Sequence, residues 1–247
     1  MTHDMKAETI TVRGDGGDEF EAYLAQPFAP GSFGGVVIIH HFPGWDRMTK
    51  EVARRFATDG YIALVPHLYH REGAGASPDD AAAAARARGG VPDDRLVGDV
   101  RGCAEHIKAL PISNGKLGCL GHCSGGRQAF LAATSLKLDA AVDCYGGALV
   151  YGTPPESPLK MPALLDRAKD LSCPLLGLFG EEDSHPSPDE VRVLAEELDK
   201  HGKTYEFHTY PGAGHAFFNV DKPSYRVEAA LDGYEKIGEF FRRYLAS

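Results

Sequence analysis

Gly121-His122-Cys123-Ser124-Gly125-Gly126 separates a predicted strand, residues 116–120, from a predicted helix, residues 125–135. A sharp turn from strand to helix forces strained backbone angles on its central residue and leaves little space for side chains beside it, so glycines flank that position. The strain also directs the central side chain outwards over the sheet. Cys123 therefore has the setting of a nucleophile.

Two alternatives to a nucleophilic Cys123 remain open in this stretch. Ser124 is the other candidate nucleophile, but a motif centred on it would replace the first glycine by His122, so Cys123 is favoured. Cys123 could also be a structural thiol beside a glycine turn. A nucleophilic thiol must become a thiolate, which an adjacent imidazole promotes. The favoured interpretation predicts acyl transfer through a thioester.

The patterns on both sides of this turn indicate the fold class. The β-branched run Val36-Val37-Ile38-Ile39 is typical of a central strand covered on both faces. Apolar alternation in residues 8–13 and 20–25 predicts an antiparallel hairpin at the edge of the sheet. The repeating strand and helix order predicts an α/β fold, a mostly parallel sheet with helices on both faces. The 247 residues fit a single domain, residues 1–247.

The other predicted elements alternate in the same way. Helices are predicted over residues 49–59, 81–87, 93–110, 188–200 and 224–246. Strands are predicted over residues 61–65, 138–144, 174–179 and 204–210. Residues 67–92 are otherwise interpreted as a long irregular excursion, which is typical of a lid or a functional loop.

The predicted base is His215. Enzymes with this kind of turn supply nucleophile, acid and base in chain order, each from a loop at the carboxyl end of a strand. The strand 204–210 is followed by Pro211-Gly212-Ala213-Gly214-His215, so His215 stands at the required place. The alternative is an ordinary surface-loop histidine.

The predicted acid is Asp183, which would orient the imidazole of His215. It ends the turn Gly180-Glu181-Glu182-Asp183 after the strand 174–179. Glu181 and Glu182 compete for this role, but Asp183 stands furthest beyond the strand.

The predicted oxyanion hole combines the backbone N–H of Ser124 with that of Phe42, in the loop after the central strand. Pro43 has no N–H and restricts Phe42 to extended conformations, which would hold the Phe42 amide towards the site.

Together these motifs resemble the dienelactone hydrolase (carboxymethylenebutenolidase) family: the G-x-C-x-G-G turn, the Gly-x-x-Asp acid turn and the A-G-H-x-F base loop. The similarity extends over nearly the whole chain and includes residues 59–61, 113–116 and 144–147. The resemblance implies an α/β-hydrolase fold and a mostly monomeric thiol hydrolase without a cofactor. It also implies lactones that carry a carboxylate as substrates.

Two positions depart from the family pattern. The family has a glutamate that helps to activate the thiol where this chain has His41, and it has an arginine that pairs with the substrate carboxylate where this chain has Asn219. Arg71, Arg86 and Arg88 are the candidates to compensate, although exposed arginines are commonly only solvated. We therefore expect an uncharged or differently charged ester or lactone as the substrate.

Aromatic residues that follow predicted strand ends are candidates to line the acyl pocket, because ligands bind at that edge of an open α/β sheet. These residues are Trp45, Tyr145 and Phe217. Ordinary packing is the alternative for each of them.

The composition restricts partners and location. The formal charge is −9, with 26 Lys and Arg against 35 Asp and Glu, so the chain lacks the basic field that attracts nucleic acid or anionic membrane surfaces. It has no stretch of about 18 apolar residues, and residues 1–7 lack an apolar leader. Five cysteines without C-x-x-C spacing suggest reduced thiols. We expect a cytoplasmic monomer or small homo-oligomer whose partner is a small-molecule ester or lactone.

Three other functions compete with the thiol hydrolase. A metal enzyme is suggested by His40-His41 and by His67 and His70, but the spacing lacks a third ligand with helical support. A non-catalytic hydrolase-fold binding protein is the second. A general carboxylesterase with a different substrate class is the third.

Overall fold

The structure of residues 4–246 is described by a computed structural model. The strands are β1 (Met5–Arg13), β2 (Glu19–Pro27), β3 (Phe33–Ile39), β4 (Ile62–Pro66), β5 (Ser113–His122), β6 (Ala140–Cys144), β7 (Leu175–Gly180) and β8 (Tyr205–Tyr210). The helices are α1 (Arg47–Thr58), α2 (His70–Gly73), α3 (Pro78–Ala87), α4 (Asp93–Ala109), α5 (Ser124–Ser135), α6 (Pro188–Lys200) and α7 (Val227–Leu245). Short 3-10 helices occupy Asp15–Gly17 and Leu165–Asp170.

The strands form one sheet in the order β1-β2-β4-β3-β5-β6-β7-β8. Strands β3 to β8 pair in parallel, whereas β1 pairs antiparallel with β2 and β2 antiparallel with β4. The predicted hairpin at the sheet edge is thus confirmed, and so is the mostly parallel sheet. Because parallel strands end at the same edge, the loops after β3, β5, β6, β7 and β8 converge there.

Helices cover both faces of the sheet, as predicted. Side chains alternate between the two faces of a strand, and in β3 Val36 and Ile38 pack in the layer that contains α1 and α7. Val37 and Ile39 pack in the opposite layer with α4, α5 and α6. All four side chains are fully buried, which confirms that this run is a central strand.

The predicted short helix over residues 81–87 is confirmed by α3, but the rest of residues 67–92 is less irregular than predicted, because α3 begins at Pro78 and α2 adds one further turn. Ser77 caps α3 by accepting a hydrogen bond from the Asp80 N–H, and Pro78 occupies the first turn. Ala81 and Ala85 bury the inner face of α3 in the core. The segment is therefore packed structure that borders the site.

Two predictions concerned the ends of the chain and the membrane. The expectation that residues 1–7 lack an apolar leader falls partly on residues 1–3, which lie outside the described residues. Within residues 4–246, none of the helices has the length and apolar character needed to cross a bilayer.

Candidate active site

Cys123 lies between the end of β5 and the start of α5 with φ 55° and ψ −124°. This left-handed conformation is unfavourable for a residue with a side chain. Neighbouring glycines make it possible, since a Cβ on Gly121 would lie 1.9 Å from the Gly125 carbonyl oxygen, and one on Gly125 would lie 2.3 Å from the Ile39 carbonyl oxygen. The turn thus holds Cys123 at the edge where the strands end.

Cys123 is also the thiol of the chain that solvent reaches. All five cysteines are free, but Cys103, Cys119, Cys144 and Cys173 are buried, whereas Cys123 is partly exposed. Burial raises the pKa of each buried thiol, that of Cys173 to about 12. These four remain protonated and unreactive at neutral pH.

His215 and Asp183 come together from the loops after β8 and β7. The Nδ1–H of His215 donates to Oδ2 of Asp183 at 2.8 Å, and the backbone N–H of His185 donates to Oδ1 of Asp183 at 2.9 Å. In the acidic run Glu181 and Glu182 are exposed, whereas Asp183 is buried and contacts the ring. The choice of Asp183 over its two neighbours therefore agrees with the geometry.

The environment of His215 favours its charged form. Burial disfavours the imidazolium, but the hydrogen bond to Asp183 and the neighbouring Cys123 side chain, together with the charges of both partners, outweigh burial and raise the pKa of His215 to about 10. A cationic ring of this kind lies between the Asp183 carboxylate and the Cys123 side chain.

The two residues predicted to form the oxyanion hole border one small cavity. Phe42 and Ser124 line a space of about 20 Å³ together with Tyr69, Val91 and Met161. Ser124 is the first residue of α5, where backbone N–H groups are free of helix partners. Most of these walls are apolar.

His41 pairs with Asp46, a residue that the sequence analysis did not single out. The Nε2–H of His41 donates to Oδ2 of Asp46 at 2.7 Å, and the Thr49 N–H donates to Oδ1 at 2.9 Å, which makes Asp46 the N-cap of α1. Burial opposes ionisation of Asp46, but these hydrogen bonds lower its pKa to about 2. An aspartate directly before a helical pattern was the available signal.

The three predicted aromatic residues have different surroundings. Trp45 donates its Nε1–H to the Val65 carbonyl at 3.1 Å and stacks on His67, which anchors the loop before α1 to β4. Tyr145 meets the ring of His215 edge-on at 5.1 Å and contacts Phe217 at 5.2 Å. Tyr145 and Phe217 are 1% and 0% exposed, so they support His215 from the core and offer no surface to a ligand in this conformation.

Asn219 and Arg71 are engaged within the protein. Asn219 is buried, and its side-chain oxygen accepts a hydrogen bond from the Asp221 N–H in the turn after His215. Arg71 forms ion pairs with Asp18 and Asp99. The Arg71 guanidinium is therefore already paired with acids of the chain.

Arg86 is exposed, and its guanidinium lies 5.6 Å from the ring centre of Phe42. Arg88 is exposed at the end of α3. Of the three arginines considered from the sequence, Arg86 is thus the one found beside the small cavity.

Two of the histidines that suggested a metal, His40 and His67, are neutral groups within the fold. His40 accepts a hydrogen bond from the Leu68 N–H, and burial lowers its pKa to about 3. Burial also lowers the pKa of His67 to about 4 and that of His122 to about 3. In the part of the chain that the structure describes, no three His, Cys, Asp or Glu side chains are grouped to hold a metal ion.

Asp143 is a second carboxyl that the sequence analysis missed. It lies on β6 and is fully buried; its Oδ1 accepts the Gly146 N–H at 2.7 Å, while Oδ2 has no hydrogen-bond partner among the described atoms. Burial raises its pKa to about 7. Its place within a buried strand gave no sign of this, because an isolated acid in a strand pattern is usually exposed.

Sequence comparison identifies the family. The model described as the dienelactone hydrolase family matches residues 20–245. The chain belongs to the dienelactone hydrolase family. One relative of this dienelactone hydrolase family member is a Salmonella typhimurium protein named "Putative carboxymethylenebutenolidase". The two are 35% identical over 238 residues, which cover 92% of this chain and 84% of that protein.

Solved structures agree with this family. A "Putative Dienelactone Hydrolase" from Klebsiella pneumoniae has a TM-score of 0.86 at 29% identity and covers 98% of this chain and 100% of its own. An acylaminoacyl peptidase of Pyrococcus horikoshii has a TM-score of 0.74 at 18% identity, and the match covers 100% of this chain and 43% of the peptidase chain. At this identity the likeness shows the fold alone. The predicted family, the α/β-hydrolase fold and the prediction that the protein is a hydrolase are confirmed.

Proposed function

We propose that this dienelactone hydrolase family member cleaves an ester or lactone through a triad of Cys123, His215 and Asp183. The observation that carries the proposal is the position of the His215 ring, which is hydrogen-bonded to Asp183 and lies beside the Cys123 side chain. The strained turn, the exposed thiol and the raised pKa of His215 support it.

The reaction proceeds in two halves. The Cys123 thiolate attacks the carbonyl carbon, and the backbone N–H groups of Ser124 and Phe42 stabilise the oxyanion that forms. The carbon–oxygen bond then breaks, the leaving alkoxide takes the proton of His215, and a thioester remains on Cys123. His215, now neutral, removes a proton from water, whose oxygen attacks the thioester. Collapse of the second oxyanion releases the acid and restores the thiolate beside the imidazolium.

Asp183 keeps the imidazole oriented throughout the cycle. Its carboxylate accepts the Nδ1–H of His215, so that Nε2 serves the thiol, the leaving group and water in turn. Tyr145 packs edge-on against the same ring and restricts its rotation.

The preferred substrate has an uncharged acyl part. The walls of the small cavity are mostly apolar, Arg71 is already paired with two acids, and position 219 is an uncharged asparagine. The relatives named for carboxymethylenebutenolide cleavage act, by that name, on a lactone that carries a carboxylate. We expect this chain to hydrolyse a neutral ester or lactone faster than its carboxylate-bearing counterpart, in a kcat/KM comparison of matched pairs.

The decisive test compares two adjacent substitutions. Cys123→Ala removes the proposed nucleophile, and we expect hydrolysis to fall by on the order of 10³-fold or more. Ser124→Ala keeps the backbone N–H and removes only the hydroxyl, so we expect less than about tenfold loss. Circular dichroism and thermal melts serve to confirm that both variants fold.

Two results would contradict the proposal. Unchanged turnover in Cys123→Ala would show that the thiol is not the nucleophile. A large loss in Ser124→Ala with an active Cys123→Ala would favour a serine esterase. Alkylation of Cys123 by iodoacetamide, verified by mass spectrometry, provides the same test on the unmutated protein.

A further inference from the structure

A second cavity lies away from the proposed triad. It has a volume of about 580 Å³ and runs between α1 and α7, closed at one end by the segment 218–225; we call it the α1–α7 cleft. Neither Cys123, His215 nor Asp183 lines it. Small-molecule sites commonly have volumes of about 300–1,000 Å³. The cleft therefore has the size of a ligand site that the proposed reaction does not use.

The floor and one rim of the α1–α7 cleft are apolar. Val52 and Phe218 form buried parts of its lining, whereas Val220 and Leu231 are 63% and 57% exposed. Apolar surface of this kind gains about 25 cal/mol for each Å² that a ligand covers. An apolar body placed along the cleft would cover both exposed side chains.

The opposite rim is basic. Arg47, Arg54 and Arg55, all on α1, line the cleft together with two acids, Glu51 and Asp221. Arg54 is held within the protein, since it is bound to Glu51 and to the Tyr23 hydroxyl. The chain as a whole has a formal charge of −9, so this excess of cations runs against its general charge.

Arg47 and Arg55 have no acidic partner within ion-pair distance in residues 4–246. Both are exposed on α1, and the guanidinium of Arg55 lies over the ring of Tyr234, 3.9 Å from its centre. The aromatic contact holds this guanidinium at the cleft while leaving its hydrogen-bond donors free for a planar acceptor. Two arginines on one helix can bind an anionic group, and the apolar lining beside them can contact a non-polar body attached to that group.

We propose that the α1–α7 cleft binds an organic monocarboxylate with an aromatic or aliphatic body. The carboxylate pairs with Arg47 and Arg55, because the guanidinium matches a carboxylate in a planar, bidentate contact. The body covers the exposed side chains of Val220 and Leu231. This site is separate from Cys123 and does not depend on the proposed hydrolysis.

The test uses isothermal titration calorimetry of the full chain with 4-phenylbutyrate and with its uncharged counterpart 4-phenylbutan-1-ol. We expect the carboxylate to bind at least about tenfold more tightly than the alcohol, a difference of about 1.4 kcal/mol. Arg47→Gln and Arg55→Gln should each weaken the carboxylate about three- to tenfold and leave the alcohol unchanged. Alkylation of Cys123 should leave both affinities unchanged.

A matched control is available on the other face of the sheet. Arg101 on α4 is exposed and forms no ion pair within the described chain, so Arg101→Gln removes the same charge away from the cleft. We expect this variant to bind both probes like the unmutated protein. Leu231→Glu should weaken both probes, because it places charge on the apolar rim.

Four outcomes would overturn the proposal. Equal affinity for carboxylate and alcohol, or unchanged affinity in the Arg47→Gln/Arg55→Gln double variant, would show that the arginines do not bind the anion. Loss of binding on alkylation of Cys123 alone would place the probe at the thiol. A dimer in sedimentation velocity that Leu231→Glu converts to monomer would show that a second copy of the chain covers the cleft.

Discussion

Two histidine–aspartate pairs lie at the carboxyl edge of the sheet, and their hydrogen bonds are nearly equal in length. His215 and Asp183 are joined at 2.8 Å, and His41 and Asp46 at 2.7 Å. The first pair brings together two loops that are 32 residues apart in sequence, whereas the second closes a five-residue loop. Distance alone does not tell which pair takes part in catalysis.

The difference lies in what else each pair contacts. His215 also lies beside the Cys123 side chain, and its partner carboxylate accepts the His185 N–H. Asp46 instead caps α1 through Thr49. One pair is thus aimed at the thiol, and the other fastens the start of a helix. The comparison teaches that the neighbours of an imidazole–carboxylate pair, more than its own geometry, indicate its role.

The largest expected effect separates the two pairs directly. Asp183→Asn should lower kcat/KM by on the order of 10³-fold, because the amide favours the wrong tautomer of His215. Asp46→Asn, the matched change in the other pair, should cost less than about tenfold, since asparagine is an equally good N-cap. Equal losses of kcat/KM in the two variants, measured with one ester substrate, would contradict the assignment of different roles to the two pairs.

Asp143 is a buried carboxyl without an imidazole or arginine partner, so it shows what burial does to a carboxyl that is not paired. Burial raises the pKa of Asp143 from 3.8 to about 7, so the folded protein binds an extra proton between these values. The stability that Asp143 contributes therefore falls as pH rises from about 4 to 7. In urea unfolding, Asp143→Asn should raise the free energy of unfolding by about 2–4 kcal/mol at pH 8. At pH 4 it should change this free energy hardly at all. A variant with the same advantage at both pH values would contradict the burial argument.

The next effect concerns pH and His215. Its pKa of about 10 means that the ring loses the proton needed by the leaving group only above that pH. We expect kcat/KM to decline about tenfold per pH unit above pH 10, after the rate of Cys123→Ala is subtracted for spontaneous hydrolysis. His41→Gln should keep this alkaline limb in place. A limb that shifts in His41→Gln would assign the proton to the other pair.

The smallest expected effect concerns the pair of His41 and Asp46. The lowered pKa of Asp46, about 2 against 3.8, gives stability that is present above pH 3.8 and is lost as pH falls towards 2. Asp46→Asn should reduce the free energy of unfolding by about 1–2 kcal/mol at pH 7, and the difference should disappear near pH 2. Thermal melts across this range provide the measurement, and a difference independent of pH would contradict the ion-pair explanation.

The sequence predicted those parts of the site that depend on strand order. Glycine spacing around Cys123 and the loops after two later strands gave His215 and Asp183, because parallel strands end at one edge. The catalytic roles of these residues, and of Phe42 and Ser124, stay predictions, as do the single domain, the absence of a cofactor and the cytoplasmic location.

What the sequence did not predict depends on contacts between distant segments. His41 and Asp46 pair because of the turn before α1. Asp143 is buried because helices cover both faces of the sheet. The arginines of α1 border a cleft because α7 packs beside α1. The start of α3 at Pro78 was missed because the prediction began with the alanine run at Ala81, although Ser77 and Pro78 marked a helix start.

The near-contact between Gly121 and the Gly125 carbonyl has a consequence for the evolvability of the enzyme. Because even a methyl group at either glycine would collide with main-chain atoms, substrate range cannot be altered by substitution at these positions without moving the thiol. Diversity must instead enter through the surrounding loops, whose backbones have freedom to adjust. A library intended to redirect selectivity should therefore randomise the loops that border the small cavity and leave both glycines constant.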